Sequence, residues 1–149
     1  MKSFEFSLER IRNYKIQVLD KEKKTLGNHK RRRDEISEKI CALEKFRDEK
    51  TNQVLQKQLE GVSMGELLSL NYLIENTRKQ IALLQIELYK AEEIIEAQRK
   101  IVLAIYQEKT GMDKLEEKQT EEYRLLEAKT VEGEIMQAIA NTMARKSSA

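Results

Sequence analysis

Proline and tryptophan are absent from this chain of 149 residues, and glycine occurs only five times. Proline is the strongest helix breaker and glycine a mainstay of tight turns, so their scarcity disfavours sheets and predicts a few long helices. Aromatic residues make up 5% of the sequence, and the 40% that is hydrophobic lies in a narrow stripe rather than in blocks that could fill a compact core. An elongated shape is the expectation. No apolar run approaches the ~20 residues needed to cross a bilayer. The longest runs from Ile101 to Tyr106, and the N-terminus lacks a signal-peptide core, so a soluble, unexported protein without direct membrane insertion is expected.

Histidine and cysteine occur once each, as His29 and Cys41, and this excludes a closed zinc site, a Cys/His catalytic pair and an internal disulfide. Cys41 stands beside Ile40, where a small apolar side chain would pack, as suits a reducing compartment. Gly61 and Gly65 lack the Gly-Lys-Ser/Thr continuation of a phosphate loop. Carboxylates are many but interleaved with lysines, as in Glu116-Glu117-Lys118, and read as a solvated helical face rather than a catalytic pocket. The expectation is a protein with no catalytic, cofactor-binding or metal-binding residues, working through other proteins. With 28 Lys plus Arg against 26 Asp plus Glu, the formal charge of +2 supplies neither a nucleic-acid binder's basicity nor an acidic tail.

What is present is helical periodicity, with one break. At Gly61-Val62-Ser63-Met64-Gly65-Glu66, Gly61 can take the left-handed conformation that ends a helix, and Ser63 with Glu66 forms a capping box that starts another. Near the N-terminus Ser3 and Ser7 bracket Phe4 to Phe6 before Leu8 opens the pattern. The predicted fold is all-α: an antiparallel two-helix coiled-coil hairpin with a longer C-terminal helix. It forms a single domain over 1–149, with helix one about 8–60, a turn at 61–65 and helix two about 64–145.

Alternating steps of three and four along the second helix visit Leu67, Leu70, Ile74, Thr77, Ile81, Leu84, Leu88, Ala91, Ile95, Gln98, Val102, Ile105, Lys109, Met112, Glu116, Gln119, Tyr123 and Leu126, most of them apolar. The first helix gives a less regular seam of Leu8, Ile11, Val18, Leu19, Leu26, Ile36, Ile40, Leu43, Phe46 and Val54, with a phase slip near Leu19 to Leu26. If the chain folds back at Gly61, residues whose numbers sum to about 124 oppose each other. That sets Ile40 against Leu84, Leu43 against Ile81, Ile36 against Leu88, Leu19 against Ile105 and Ile11 near Met112, with Arg33 beside Glu92 and Lys50 beside Glu75.

The helices are unequal, roughly 80 Å and roughly 120 Å at ~1.5 Å per residue. The segment after about Gln119 therefore lacks an internal partner, although Leu125, Leu126, Ile135, Met136, Ile139 and Met143 keep helical spacing. Gly133 and the closing Arg145-Lys146-Ser147-Ser148-Ala149 predict fraying there. Lys30-Arg31-Arg32-Arg33 is followed at once by Asp34-Glu35 and points around the whole helix, which favours a solvated face over a protein-binding or nucleic-acid patch. Among the aromatics, Phe46 and Tyr72 near the turn are the pair best placed for partner contact.

The opening Phe4-Glu5-Phe6-Ser7-Leu8-Glu9-Arg10-Ile11-Arg12-Asn13-Tyr14-Lys15, the following Glu22-Lys23-Lys24 and Leu26, and the long-helix hairpin resemble the flagellar export protein FliJ family over essentially the whole chain. The resemblance implies a cytoplasmic stalk component of the flagellar type III export apparatus, similar to the central stalk of rotary ATPases and peripherally associated with the inner membrane. Its implied partners are the hexameric flagellar export ATPase, the cytoplasmic domain of an export gate protein and export chaperones. Carried over by position, the ATPase-binding residues are Phe4, Phe6, Leu8, Ile11, Arg12, Met112, Tyr123 and Leu126. The gate-binding residues are Leu43, Phe46, Lys50, Leu73 and Thr77, although family members often carry aromatics at the positions of Lys50 and Leu73. Two other readings remain open: a homo-oligomeric scaffold or adaptor joined through the stripe from Leu126 to Met143, and a nucleic-acid module centred on Lys30 to Arg33.

Overall fold

The computed structural model describes residues 4–147. Two helices, α1 (Glu9–Glu60, 52 residues) and α2 (Met64–Ser147, 84 residues), make an all-α helical hairpin with no strand among the described residues. Gly61, at φ 89°, is the only described residue in the left-handed region, a conformation that costs a side-chain-bearing residue steric strain. Ser63 Oγ accepts from the Glu66 amide at 3.3 Å, which satisfies one of the donors left open at the start of α2. The other half of the expected capping box is replaced: the Glu66 carboxylate turns across the bend to Lys57 Nζ at 3.2 Å, because a charge-assisted bond is within reach. At the start of α1, Glu9 N donates to Phe6 O at 3.1 Å, while Ser3, like Ser148 and Ala149, lies outside the described residues.

The chain divides into two compact units, Asp20–Leu103 and Met1–Leu19 with Ala104–Ala149. In the unit that contains the turn, Ile36, Ile40, Ile81 and Ala91 form one buried cluster, with Leu43, Leu84 and Leu88 packed against it. The expected levels Ile36/Leu88, Ile40/Leu84 and Leu43/Ile81 all fall within that cluster. Burying several branched aliphatic side chains at about 1.5–3 kcal/mol each is what holds two helices together that have no other interior. Further along, the buried Gln98 donates from Nε2 to the Glu22 carbonyl oxygen at 3.1 Å and also to its carboxylate. A buried amide satisfied by only one partner position fixes the register of the two helices.

In the unit that contains the chain ends, Phe6 and Leu19 are buried and Leu8, Ile105 and Met112 half-buried, and charge and aromatic contacts supplement them. Phe4 and Tyr123 pack with their rings tilted at 38° and centroids 5.6 Å apart, and the Arg12 guanidinium lies 5.3 Å from the centre of the Phe6 ring. Arg12 pairs with Glu116 and, at 3.6 Å, with Asp113, while Lys15 meets Glu108 at 2.6 Å. From position 128 onward every described residue is exposed.

On α2 every predicted seam position from Leu67 through Tyr123 is buried or half-buried, and only Leu126 is exposed, because Phe4 beside Tyr123 is the last described residue opposite that face. The α1 seam needs correction. It steps regularly through Leu8, Arg12, Lys15, Leu19, Glu22, Leu26, His29, Arg33, Ile36, Ile40, Leu43, Arg47, Lys50, Val54 and Lys57, all buried or half-buried, with no phase slip. Ile11 is 47% exposed and Phe46 37%, each one residue away from a basic residue that takes the inward place. Cys41 is likewise exposed rather than packed. The expected Arg33–Glu92 and Lys50–Glu75 pairs give way to local contacts, Arg33 with Asp34 at 3.1 Å and Glu75 with Arg78 at 3.5 Å. Exposed ion pairs of either kind contribute little, so losing the cross-helix pairs costs the hairpin little.

Candidate protein-binding surfaces

All the positions assigned to an ATPase contact fall in the unit of the chain ends, and all those assigned to a gate contact fall in the unit of the turn. In the first group the side chains differ sharply in availability. Phe6 is buried, Phe4, Leu8, Met112 and Tyr123 are half-buried, and only Ile11 and Leu126 present mainly open surface. Arg12 is held by its two acidic partners over the Phe6 ring, so it organises the surface instead of projecting from it. Lys109 donates to Asp113 at 2.8 Å, and this bond, aided by Arg12, holds the Asp113 carboxyl below its ordinary value of 3.8 despite the opposing pull of desolvation. The surface is therefore a rim of exposed apolar side chains around a charged lattice.

The second group is less open. Phe46 and Leu73 are 37% and 38% exposed, and Lys50 Nζ sits 5.4 Å above the Phe46 ring, a cation–π arrangement. Leu43 packs against the buried cluster, and Thr77 is buried with its hydroxyl donating to the Leu73 carbonyl at 2.7 Å, so neither offers a side chain to a partner. Tyr72 is the most exposed of the aromatics near the turn, at 72%.

Sequence reasoning passed over the charged seam of the chain-end unit because it searched for apolar residues at seam spacing. The signal was available: stepping back from Leu19 by four and three lands on Lys15 and Arg12. It also missed an apolar patch on the outer face of α2, where Leu83, Ile86 and Tyr89 are exposed at 64%, 54% and 64%. Beside it, the Tyr89 phenol donates a hydrogen bond to the Glu93 carboxylate, and that bond, reinforced by the carboxylate's charge, raises the phenol's pKa. Among the described residues no group of side chains is arranged to hold a metal ion, and no helix is long and apolar enough to cross a membrane.

Comparison with curated proteins and with solved structures returned no match. Comparison with protein families did, over residues 4–130, a span that takes in the opening segment, all of α1 and α2 through the last residues that face it. The two-helix hairpin with its charged and aromatic chain-end unit thus belongs to the flagellar FliJ protein family, a family of the flagellar export apparatus.

Proposed function

We propose that this protein is a non-enzymatic stalk of the export apparatus that binds the hexameric export ATPase through its chain-end unit and the cytoplasmic domain of the export gate through its turn unit. One observation carries the reading: the two sets of contact positions taken over from the family separate completely into two units, each with its own interior. The chemistry of the two surfaces supports different tasks. A lattice of ion pairs with an apolar rim suits a contact that forms and releases, since exposed charges regain water at little cost. An aromatic under a lysine, with a part-exposed leucine in the same unit, suits a smaller, anchor-like contact. A single asymmetric helical pair inside a six-fold ring makes the six sites inequivalent, which is how it would promote the ring. Escort of export chaperones and peripheral association with the inner membrane belong to the same reading.

Mixing the purified chain with its cognate export ATPase should raise turnover and ring formation. Because Phe6 is buried, the informative variants are Ile11→Asp and Leu126→Asp, which alter exposed positions and should abolish stimulation while helicity is unchanged. Full stimulation by both would remove the ATPase assignment. For the gate, Phe46→Ala with Leu73→Ala should weaken capture by the gate's cytoplasmic domain, and unaltered capture would remove that assignment.

A further inference from the structure

The tail of α2 changes the face on which it is apolar. Past Tyr123, the positions that continue the hairpin seam are Leu126, Thr130, Gly133, Gln137, Ala140 and Ala144, small or polar after the first. At 100° per residue the apolar side chains Val131, Ile135, Ala138, Ile139 and Met143 lie around the opposite side of the helix. They are open to solvent, with Ile135 at 56% and Ile139 at 51%, and they line two shallow surface depressions that meet at Ile135. Nothing about the hairpin requires this switch, since residues beyond its seam need no apolar face to complete its interior.

Charge identifies what covers the stripe. Glu132 and Glu134 stand at its start and Arg145 and Lys146 at its end, with no charged residue between. Neither Glu132 nor Lys146 has an ion-pair partner among the described residues. A second copy laid parallel would set acid against acid and base against base. Laid antiparallel, it sets the acidic end of each tail against the basic end of the other.

We propose that two copies of this chain pair antiparallel through residues 131–146. The two-fold axis passes near Ala138, Ile135 and Ile139 of the two copies mesh about it, and Glu132 of each copy lies near Lys146 of the other. Such an isologous contact closes on itself and gives a dimer rather than a filament. It uses the face of α2 opposite the one that carries the hairpin seam, and residues beyond Leu126, so it does not depend on the ATPase or gate assignments.

Sedimentation of the full chain across a wide concentration range tests it. The expected result is a monomer–dimer equilibrium that Ile135→Asp and Ile139→Asp each abolish, with far-UV circular dichroism unchanged because both positions are exposed. Glu132→Lys and Lys146→Glu should each raise the dissociation constant about tenfold, with the effect shrinking at high salt. Combining them in one chain should restore the original affinity. A monomer at all concentrations, or a dimer that survives both aspartate variants, would overturn the proposal. Failure of the double charge swap to restore pairing would overturn the antiparallel arrangement.

Discussion

The two units solve one problem, holding two helices together, with different chemistry. Around the turn the deepest layers are aliphatic, with Ile36, Ile40, Ile81 and Ala91 buried as a cluster, while Arg33, Arg47 and Lys50 take half-buried seam places and one buried amide, Gln98, marks the register. At the chain ends the apolar layers are supplemented by a tilted aromatic pair, a guanidinium over a ring and a set of carboxylates. Apolar burial is strong and indifferent to partner identity, whereas partly exposed ion pairs contribute little and depend on geometry.

Substitutions separate the two strategies. The largest effect is expected at the aliphatic cluster, where Ile40→Asp or Ile81→Asp buries an unpaired charge and should cost about 4 kcal/mol or more, read as a collapse of the denaturation midpoint. Phe6→Ala should follow, at about 3 kcal/mol, with the loss concentrated in hydrogen-exchange protection of residues 8–19 and 105–123 while the turn unit keeps its protection. Equal loss in both units would show that they are one cooperative block. Gln98→Leu leaves the Glu22 carboxylate facing an apolar side chain and should cost about 1–2 kcal/mol. Gly61→Ala forces a methyl-bearing residue into the left-handed region and should cost about 1 kcal/mol.

The smallest effect is electrostatic and separates the units by pH. The Asp113 carboxyl titrates lower in the folded chain than in the unfolded one, so its pairing with Lys109 and Arg12 stabilises fully above the ordinary value of 3.8. That stabilisation is lost as pH falls through the lowered value. Exchange protection of the chain-end unit should therefore decline below about pH 4. Asp113→Asn should reduce this unit's acid sensitivity, and an unchanged acid profile in the variant would assign it to other carboxylates.

Much of the hairpin was legible because its signals are local. Gly61 and Ser63 mark the turn by backbone conformation and capping, which depend only on near neighbours, and the α2 seam follows from helical geometry acting on an apolar pattern. The α1 seam was harder, since Arg12, Lys15, His29 and Arg33 occupy it, and charged residues enter a seam only when something opposite accepts them. Ile11 and Phe46 drew attention as the nearest apolar residues, yet lie one position outside it. The contact surfaces were legible only in part: the α2 seam already turned Thr77 inward and left Leu73 outside it, whereas nothing in the opening segment distinguishes the buried Phe6 from the exposed Ile11.

The sequence by itself determined two helices, the place of the bend and the residues α2 turns inward, because turn chemistry and the 3.6-residue repeat are encoded within a few neighbouring positions. Only the tertiary structure decided that Arg12 is locked between Asp113 and Glu116, that Glu66 abandons its own cap for Lys57, and that Gln98 reads Glu22. Each of those choices compares a local partner with one brought close by the fold. A charged or amide side chain takes the better-placed one, and the sequence alone does not hold that distance.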